Sequence, residues 1–133
     1  MFIRIPLIFI IYSMKENFAA RRSSLAEKVL DDSAIIVGSA PVKSRISDTD
    51  YAYRQDSNFY YLSGYEEPES LLLLRPGHNT EKFVIFCRDR DPLREQWDGF
   101  RTGQDGAVSN YGADAAYSIC LLYTSDAADE VLG

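Results

Sequence analysis

Residues 51–69 constrain the fold of this chain more than any other part of its sequence. They read YAYRQDSNFYYLSGYEEPE, with six aromatic residues among the fifteen positions from 51 to 65. A half-buried strand would alternate apolar and polar residues, and a surface loop would carry few aromatic rings. The amide and charged groups set among the rings therefore predict a polar-aromatic corner that joins a sheet to a helix. A surface that meets a ligand or another domain is the alternative interpretation.

The composition is that of one globular domain. The chain has 133 residues, 46% of them hydrophobic and 26% charged, which is enough for one core but not for two. Its net charge of −6 argues against a nucleic-acid-binding surface, which needs clustered basic residues. The two cysteines, Cys87 and Cys120, form no disulfide framework and indicate a reducing compartment. We therefore expect a cytoplasmic protein that binds neither nucleic acid nor membrane.

The first thirteen residues, MFIRIPLIFIIYS, form an apolar head. The run is too short to span a bilayer, which takes about 20 residues. It has the charge and apolar region of a signal peptide but a poor cleavage site. Three interpretations stay open: translation upstream of a true start at Met14, a signal peptide or membrane anchor, and a buried strand.

Local patterns predict four helices. The first has an apolar face opposite its basic residues, and the others are bounded by residue types that cap helices, such as Asp56, Gly64 and Asp91. The apolar face of the first helix comprises Phe18, Leu25, Val29 and Leu30. The predicted helices are residues 15–30, 58–62, 92–98 and 104–111.

Short apolar runs between turn residues predict four strands. The run at 34–37 is continuous and is expected to be buried on both faces. The runs at 70–75 and 82–87 flank a Pro-Gly-His-Asn turn and predict an antiparallel hairpin, and a last strand is expected at 113–119. Together these elements predict an α/β fold, a mixed β-sheet flanked by helices.

No residue pattern of a catalytic or metal centre is present, because the HExxH, GxSxG, CxxC and phosphate-loop motifs are all missing. His78 lies in a turn and is interpreted as a solvated loop histidine. Cys87 is interpreted as a small buried hydrophobe. Trp97 is interpreted either as a core residue or as part of an exposed edge, since glycines follow it. Six acidic residues are interpreted as helix caps or as parts of solvated faces rather than as a metal site. They are Asp48, Asp50, Asp56, Glu66, Glu67 and Glu69.

Three segments resemble the N-terminal domain of aminopeptidase P, a pita-bread metallopeptidase family related to creatinase and prolidase. They are residues 45–65, the Glu-Pro-Glu of 67–69, and residues 95–105, which match the pattern Glu-x-Trp-x-Gly-x-Arg-x-Gly. The resemblance covers residues 14–119 and implies a mixed sheet flanked by helices. The residues taken as its structural signature are Tyr53, Arg54, Gln55, Asp56, Asn58, Phe59, Tyr60, Gly64 and Pro68.

The resemblance also implies a function for a longer parent. Such enzymes hydrolyse the bond between an N-terminal residue and a following proline, using two manganese ions held by two Asp, one His and two Glu of a C-terminal catalytic domain. None of those ligands maps onto this chain, so no residue here is expected to be catalytic or to bind metal. The implied partners are that catalytic domain, peptide substrates with proline second and further copies of the parent. Trp97 is expected to contact the substrate side or a neighbouring subunit.

The chain end departs from the family pattern. Residues 120–130, CLLYTSDAADE, resemble the in-frame translation of a sequencing-library adapter, so residues 120–133 are expected to be non-native. This chain would then be an inactive fragment of a Xaa-Pro aminopeptidase. The alternatives are a stand-alone binding or oligomerisation module of creatinase-like ancestry and the N-terminal domain of a related prolidase.

Overall fold

The computed structural model describes residues 7–46, 49–50 and 52–123, and the side chains of residues 17–43 and 52–122. The first six residues of the apolar head, Asp48, Tyr51 and residues 124–133 of the predicted foreign tail lie outside the described residues. The helices are α1 (Leu7–Ala26), α2 (Ser57–Ser63), α3 (Pro92–Asp98), α4 (Gly103–Tyr111) and a 3-10 helix (Ile119–Tyr123). The strands are β1 (Ile35–Gly38), β2 (Ser44–Ile46), β3 (Thr49–Asp50), β4 (Leu71–Leu74), β5 (Phe83–Cys87) and β6 (Ala115–Ser118).

The main sheet is mixed, as the sequence predicts. Its strand order is β1-β4-β5-β6, in which β4 runs antiparallel to both β1 and β5, and β6 pairs with β5 in parallel. The predicted hairpin is confirmed, with Leu71 opposite Phe86 and Leu74 opposite Phe83. Strands β2 and β3 form a separate two-stranded sheet. The α/β fold class is therefore confirmed.

Helices α1, α2 and α4 pack on one face of the main sheet. Residues alternate sides along a strand, so Phe83, Ile85 and Cys87 of β5 point toward the helices and Val84 and Phe86 point away. The larger core also takes Phe59, Leu62, Tyr65, Ala107 and Ala113 from α2, α4 and the segments that follow them. On the opposite face, Leu73, Val84 and Phe86 pack against a smaller group that includes Tyr117, Ile119 and Leu122. All five residues of β5 are buried as a result.

The helix predictions are right where a local signal begins or ends the helix. Asp56 caps α2 by accepting a hydrogen bond from the backbone N of Phe59, and Gly64 ends it in the left-handed conformation with φ of 70°. Asp91 caps α3, and Pro92 occupies its first turn, with the predicted bounds. Helix α4 starts one residue before its predicted position.

The first helix differs from its prediction at both ends. It spans Leu7–Ala26 rather than residues 15–30, because after Ala26 the amides of Lys28 and Val29 bond to carbonyls three residues back, which tightens the chain into a turn. Leu30 is 73% exposed and does not belong to the apolar face that was predicted to include it. The apolar head is helical from Leu7 onward, so the buried-strand interpretation is wrong for residues 7–13. None of the described helices is both long enough and apolar enough to cross a membrane.

The prediction that the first strand is buried on both faces is wrong. Ile35 and Val37 pack against the larger core, but Ile36 is 50% exposed. The reason is the position of β1 at the edge of the sheet. Ile119 and Leu122 cover the second face by packing against Leu73, Val84 and Phe86, and they do not extend to β1. A continuous apolar run does not distinguish an edge position from a central one.

The buried position of Cys87 makes a prediction about its reactivity. Its side chain is fully buried, and burial raises the pKa of the thiol to about 11, whereas Cys120 is exposed. We expect one thiol of the native chain to react rapidly with an aromatic disulfide reagent at pH 8, and the second only in denaturant. The variant Cys120→Ser should lose the rapid phase, and rapid labelling of Cys87 in that variant would contradict the buried position.

Candidate functional site

The side chain of Gln55 is the hydrogen-bonding centre of the aromatic segment. Its Oε1 atom accepts hydrogen bonds from the backbone N of Ala40 at 2.9 Å and from the backbone N of Asp56 at 2.9 Å. The Tyr53 hydroxyl lies 3.0 Å from the same oxygen and also donates to the carbonyl of Ala40 at 2.8 Å. One amide oxygen therefore ties the segment after β1 to the start of α2.

The nitrogen of the same carboxamide holds the turn that follows α2. Nε2 of Gln55 donates to the backbone carbonyls of Tyr65 at 3.2 Å and Glu67 at 3.0 Å. The Tyr65 ring is fully buried between Phe59 and Tyr111, with ring centroids 6.3 and 4.9 Å away. The backbone carbonyls of this turn are thus satisfied by one side chain while the adjacent Tyr65 ring anchors the turn in the core.

The other residues of the sequence signature divide between interior and surface. Phe59 is fully buried, Asp56 and Gly64 cap α2, and the carbonyl of Pro68 accepts from the hydroxyl of Ser70 at 2.9 Å. Arg54, Asn58 and Tyr60 are exposed. The Tyr60 ring meets Phe18 of α1 edge to face, with centroids 5.9 Å apart, and Arg21 stacks on Phe18 and Tyr61. An open groove of about 620 Å³ lies on this side, lined by Arg21, Tyr53, Arg54, Gln55, Ser57, Tyr60, Tyr61 and Glu66.

A second surface is formed by α3 and the loop that follows it. None of the seven residues of α3 is buried. Leu93, Trp97 and Phe100 expose 75%, 88% and 71% of their surface, so the interpretation of Trp97 as a core residue is wrong. We call these three side chains the apolar tip. Large apolar side chains grouped on a surface are typical of interaction sites.

A carboxylate holds the loop beneath the apolar tip. Oε1 of Glu95 accepts hydrogen bonds from Nε of Arg90 at 2.8 Å and from the backbone N of Arg101 at 2.7 Å, and the Glu95 side chain is only 9% exposed. The Arg90 guanidinium in turn lies 4.7 Å from the ring centroid of Phe100. The glutamate and the arginine of the Glu-x-Trp-x-Gly-x-Arg-x-Gly pattern are therefore joined across the base of the loop by a hydrogen bond from the arginine's backbone N to the glutamate's carboxylate.

The last glycine of that pattern is required by close packing. Gly103 has φ of 71°, and a Cβ atom there would lie 2.6 Å from Cγ of Arg90. A side chain at this position would displace Arg90 and with it the contact to Glu95.

Glu67 joins the two surfaces. Its carboxylate accepts hydrogen bonds from the backbone N of Thr102, at 3.0 and 3.2 Å, and pairs with Arg88 at 3.2 Å. Its backbone carbonyl is the one that Gln55 holds. The sequence places Glu67 among residues expected to cap helices or lie on solvated faces. Its links to Arg88 and Thr102 cannot be predicted from the sequence, because these partners are 21 and 35 residues away.

Ionisation of Glu95 favours the folded loop. The backbone amide of Arg101, followed by Arg90, holds the pKa of this carboxyl below its ordinary value. Because the pKa of Glu95 is lower in the folded state, its ionised carboxylate stabilises the folded loop at any pH above the unfolded-state pKa. This stabilisation is lost as the pH falls through the folded-state pKa. The contribution of the ionised Glu95 carboxylate to the loop is therefore present at neutral pH.

The described residues hold no group of three or more histidine, cysteine, aspartate or glutamate side chains that could bind a metal ion. Asp56 is a helix cap and Glu67 an anchor of the loop, whereas Asp48 lies outside the described residues. His78 is not merely a solvated loop residue, since its Nδ1 accepts from the backbone N of Thr80 and Glu81 at 3.2 and 2.9 Å.

The contacts of Gln55 predict a large effect of its removal on stability. Gln55→Ala removes the hydrogen bonds that Gln55 makes to two part-buried backbone amides and to the carbonyl of Tyr65, and it leaves the carbonyl of Glu67 with only the shared Ser70 hydroxyl. We expect a loss of about 2–4 kcal/mol in the free energy of unfolding, measured with urea. Gln55→Glu should be at least as damaging at neutral pH, because a carboxylate cannot donate to the carbonyls of Tyr65 and Glu67. The neighbouring, exposed Arg54→Ala should change stability by about 0.5 kcal/mol or less. Equal effects of Gln55→Ala and Arg54→Ala would contradict this assignment.

Comparison with known proteins agrees with the fold and with the sequence signature. The family model described as aminopeptidase P, N-terminal domain, matches residues 18–125. The Xaa-Pro aminopeptidase of Haemophilus influenzae is 42% identical over 105 residues, which cover 79% of this chain and 24% of that protein.

Solved structures give the same result. The Pseudomonas aeruginosa aminopeptidase PepP superposes with a TM-score of 0.78 at 45% identity, covering 90% of this chain and 25% of that one. Escherichia coli aminopeptidase P, solved with the inhibitor Pro-Leu, gives 0.75 at 38% identity, covering 80% and 24%. This chain therefore spans about a quarter of the length of these relatives. The mixed sheet, the aromatic corner and the matched segment together place the chain in the family of aminopeptidase P N-terminal domains.

Proposed function

We propose that this chain serves as the non-catalytic N-terminal domain of a Xaa-Pro aminopeptidase, with residues 14–119 as the domain proper. The observation that carries the proposal is the match of residues 18–125 to this domain, combined with coverage of only about a quarter of each relative. The parent would hydrolyse the bond between an N-terminal residue and a following proline. Its partners would be its own catalytic domain, peptides with proline second and further copies of itself, in the cytoplasm.

The cofactor proposed for the parent is a pair of manganese ions. The described residues do not fit such a centre, because they contain no cluster of metal-ligating side chains. The ligands would lie in the catalytic domain, and this chain's own residues would contribute packing and a contact surface rather than a step of the hydrolysis.

Activity measurements test this division. With added Mn²⁺, we expect this chain to release no N-terminal residue from Xaa-Pro peptides, and a parent that includes the catalytic domain to do so and to lose activity on chelation. Release of proline or of the first residue, at a rate proportional to the concentration of this chain, would overturn the proposal. Genomic sequence beyond the codon of Ile119 distinguishes the parent enzyme from a stand-alone module, which would end in a stop codon.

Trp97 is the residue of this chain that we propose to contact the substrate side of an active site, in the same parent molecule or in a neighbouring subunit. Its 88% exposure leaves nearly the whole indole free for such a contact. It belongs to the apolar tip, and an aromatic ring of this kind contributes strongly to binding once a partner covers it.

In the parent, Trp97→Ala should lower kcat/KM for Xaa-Pro peptides by about tenfold, the effect of losing one aromatic contact. Trp97→Phe should keep part of the activity. Gln96→Ala is the matched control, because it changes the adjacent exposed position of α3 and should leave kcat/KM unaltered. A Trp97→Ala parent with unchanged kinetics would exclude the contact.

A further inference from the structure

We infer that Glu95 is a positioning residue, which holds Trp97 in place for the contact proposed above. This inference deepens the proposed role of Trp97 and rests on it. The relevant observation is a juxtaposition: the Glu95 side chain, which is 9% exposed, belongs to the same short helix as the exposed Leu93 and Trp97.

The loop has no apolar anchor of its own. An isolated helix of seven residues is unstable in water, and helices of this length normally depend on a buried apolar face. Helix α3 buries none of its residues, so its own side chains contribute no core packing. Its position must therefore come from polar contacts.

Those contacts converge on Glu95. Its carboxylate bridges Arg90, which precedes α3, and the backbone of Arg101, which follows the loop, while its backbone carbonyl accepts from the N of Gly99 at 3.1 Å. Hydrogen bonds from both ends of residues 90–101 thus meet at the Glu95 carboxylate and close this segment into a hydrogen-bonded ring. Trp97 lies within this segment, two residues from Glu95 and two residues from Gly99, and its side chain is 88% exposed.

The ring is attached to the body of the domain by a second set of bonds. Nη1 of Arg101 donates to the carbonyl of Asp89 at 3.2 Å, and the next residue, Thr102, donates its backbone N to Glu67. Removing the Glu95 carboxylate would leave these attachments in place but free the loop between them. The tip would then sample several positions, and any partner would have to bind it at the cost of ordering it.

Fluorescence of this chain tests the inference independently of catalysis. Trp97 is the only tryptophan of the 133 residues, so the intrinsic emission reports on this loop alone. We expect Glu95→Ala to lower the steady-state anisotropy of Trp97, and Glu95→Gln, which can still accept from the Arg101 amide, to lower it less. Glu27→Gln is the matched control for Glu95→Gln, because it makes the same substitution at an exposed position of the turn after α1. It should leave the anisotropy of Trp97 unchanged. Unchanged anisotropy in Glu95→Ala would overturn the inference.

Kinetics of the parent provide the second test. Glu95→Ala should lower kcat/KM nearly as far as the roughly tenfold loss expected for Trp97→Ala, and the double variant should be no worse than Trp97→Ala alone. A purely destabilising effect of Glu95→Ala would instead add to the loss caused by Trp97→Ala. If Trp97→Ala has no effect, the proposed contact fails. If Trp97→Ala has its effect and Glu95→Ala does not, the contact stands and the positioning role of Glu95 is wrong.

Discussion

The carboxamide of Gln55 is the interaction on which the rest of this structure depends. It satisfies backbone groups from the segment after β1, from the start of α2 and from the turn before β4. These groups are partly buried, and a buried amide or carbonyl without a partner costs about 1–3 kcal/mol. A side chain with both a donor and an acceptor is needed here, which glutamine provides and glutamate or leucine does not.

The effect of this corner extends to the second surface. Because Gln55 holds the backbone of Glu67, the carboxylate of Glu67 is directed toward Arg88 and Thr102. Thr102 directly follows Arg101, whose backbone N donates to Glu95 and closes the loop. The aromatic segment and the apolar tip are far apart in sequence, yet they belong to one continuous hydrogen-bonded framework.

The two surfaces use polar groups in opposite ways. At the aromatic corner, hydrogen bonds accompany buried rings, and the energetic gain comes from the core formed by Phe59 and Tyr65. Beneath the apolar tip, hydrogen bonds accompany exposed apolar side chains, which gain nothing from folding while they stay in water. Such an arrangement is reasonable only if the tip is covered in a larger assembly, which agrees with its proposed role in a parent enzyme.

Several elements could be predicted from the sequence because their causes are local. Asp56 and Gly64 bound α2, Asp91 and Pro92 begin α3, and the Pro-Gly-His-Asn turn sets the hairpin. The end of α1 could not be predicted, because its helical pattern continues to Leu30 although the chain turns after Ala26. The exposure of Ile36 was also missed, because it follows from the place of β1 at the sheet edge.

By itself, then, the sequence determined the α/β class, the caps, the hairpin and the family signature, all of which depend on residues close together in the chain. Only the tertiary structure decided that Gln55 is the centre of the corner, that Glu67 reaches Arg88 and Thr102, and that Trp97 faces solvent. These features depend on which distant segments meet. A hydrogen bond between residues 35 positions apart leaves no periodic trace in a single sequence, whereas a capping residue three positions from its partner does.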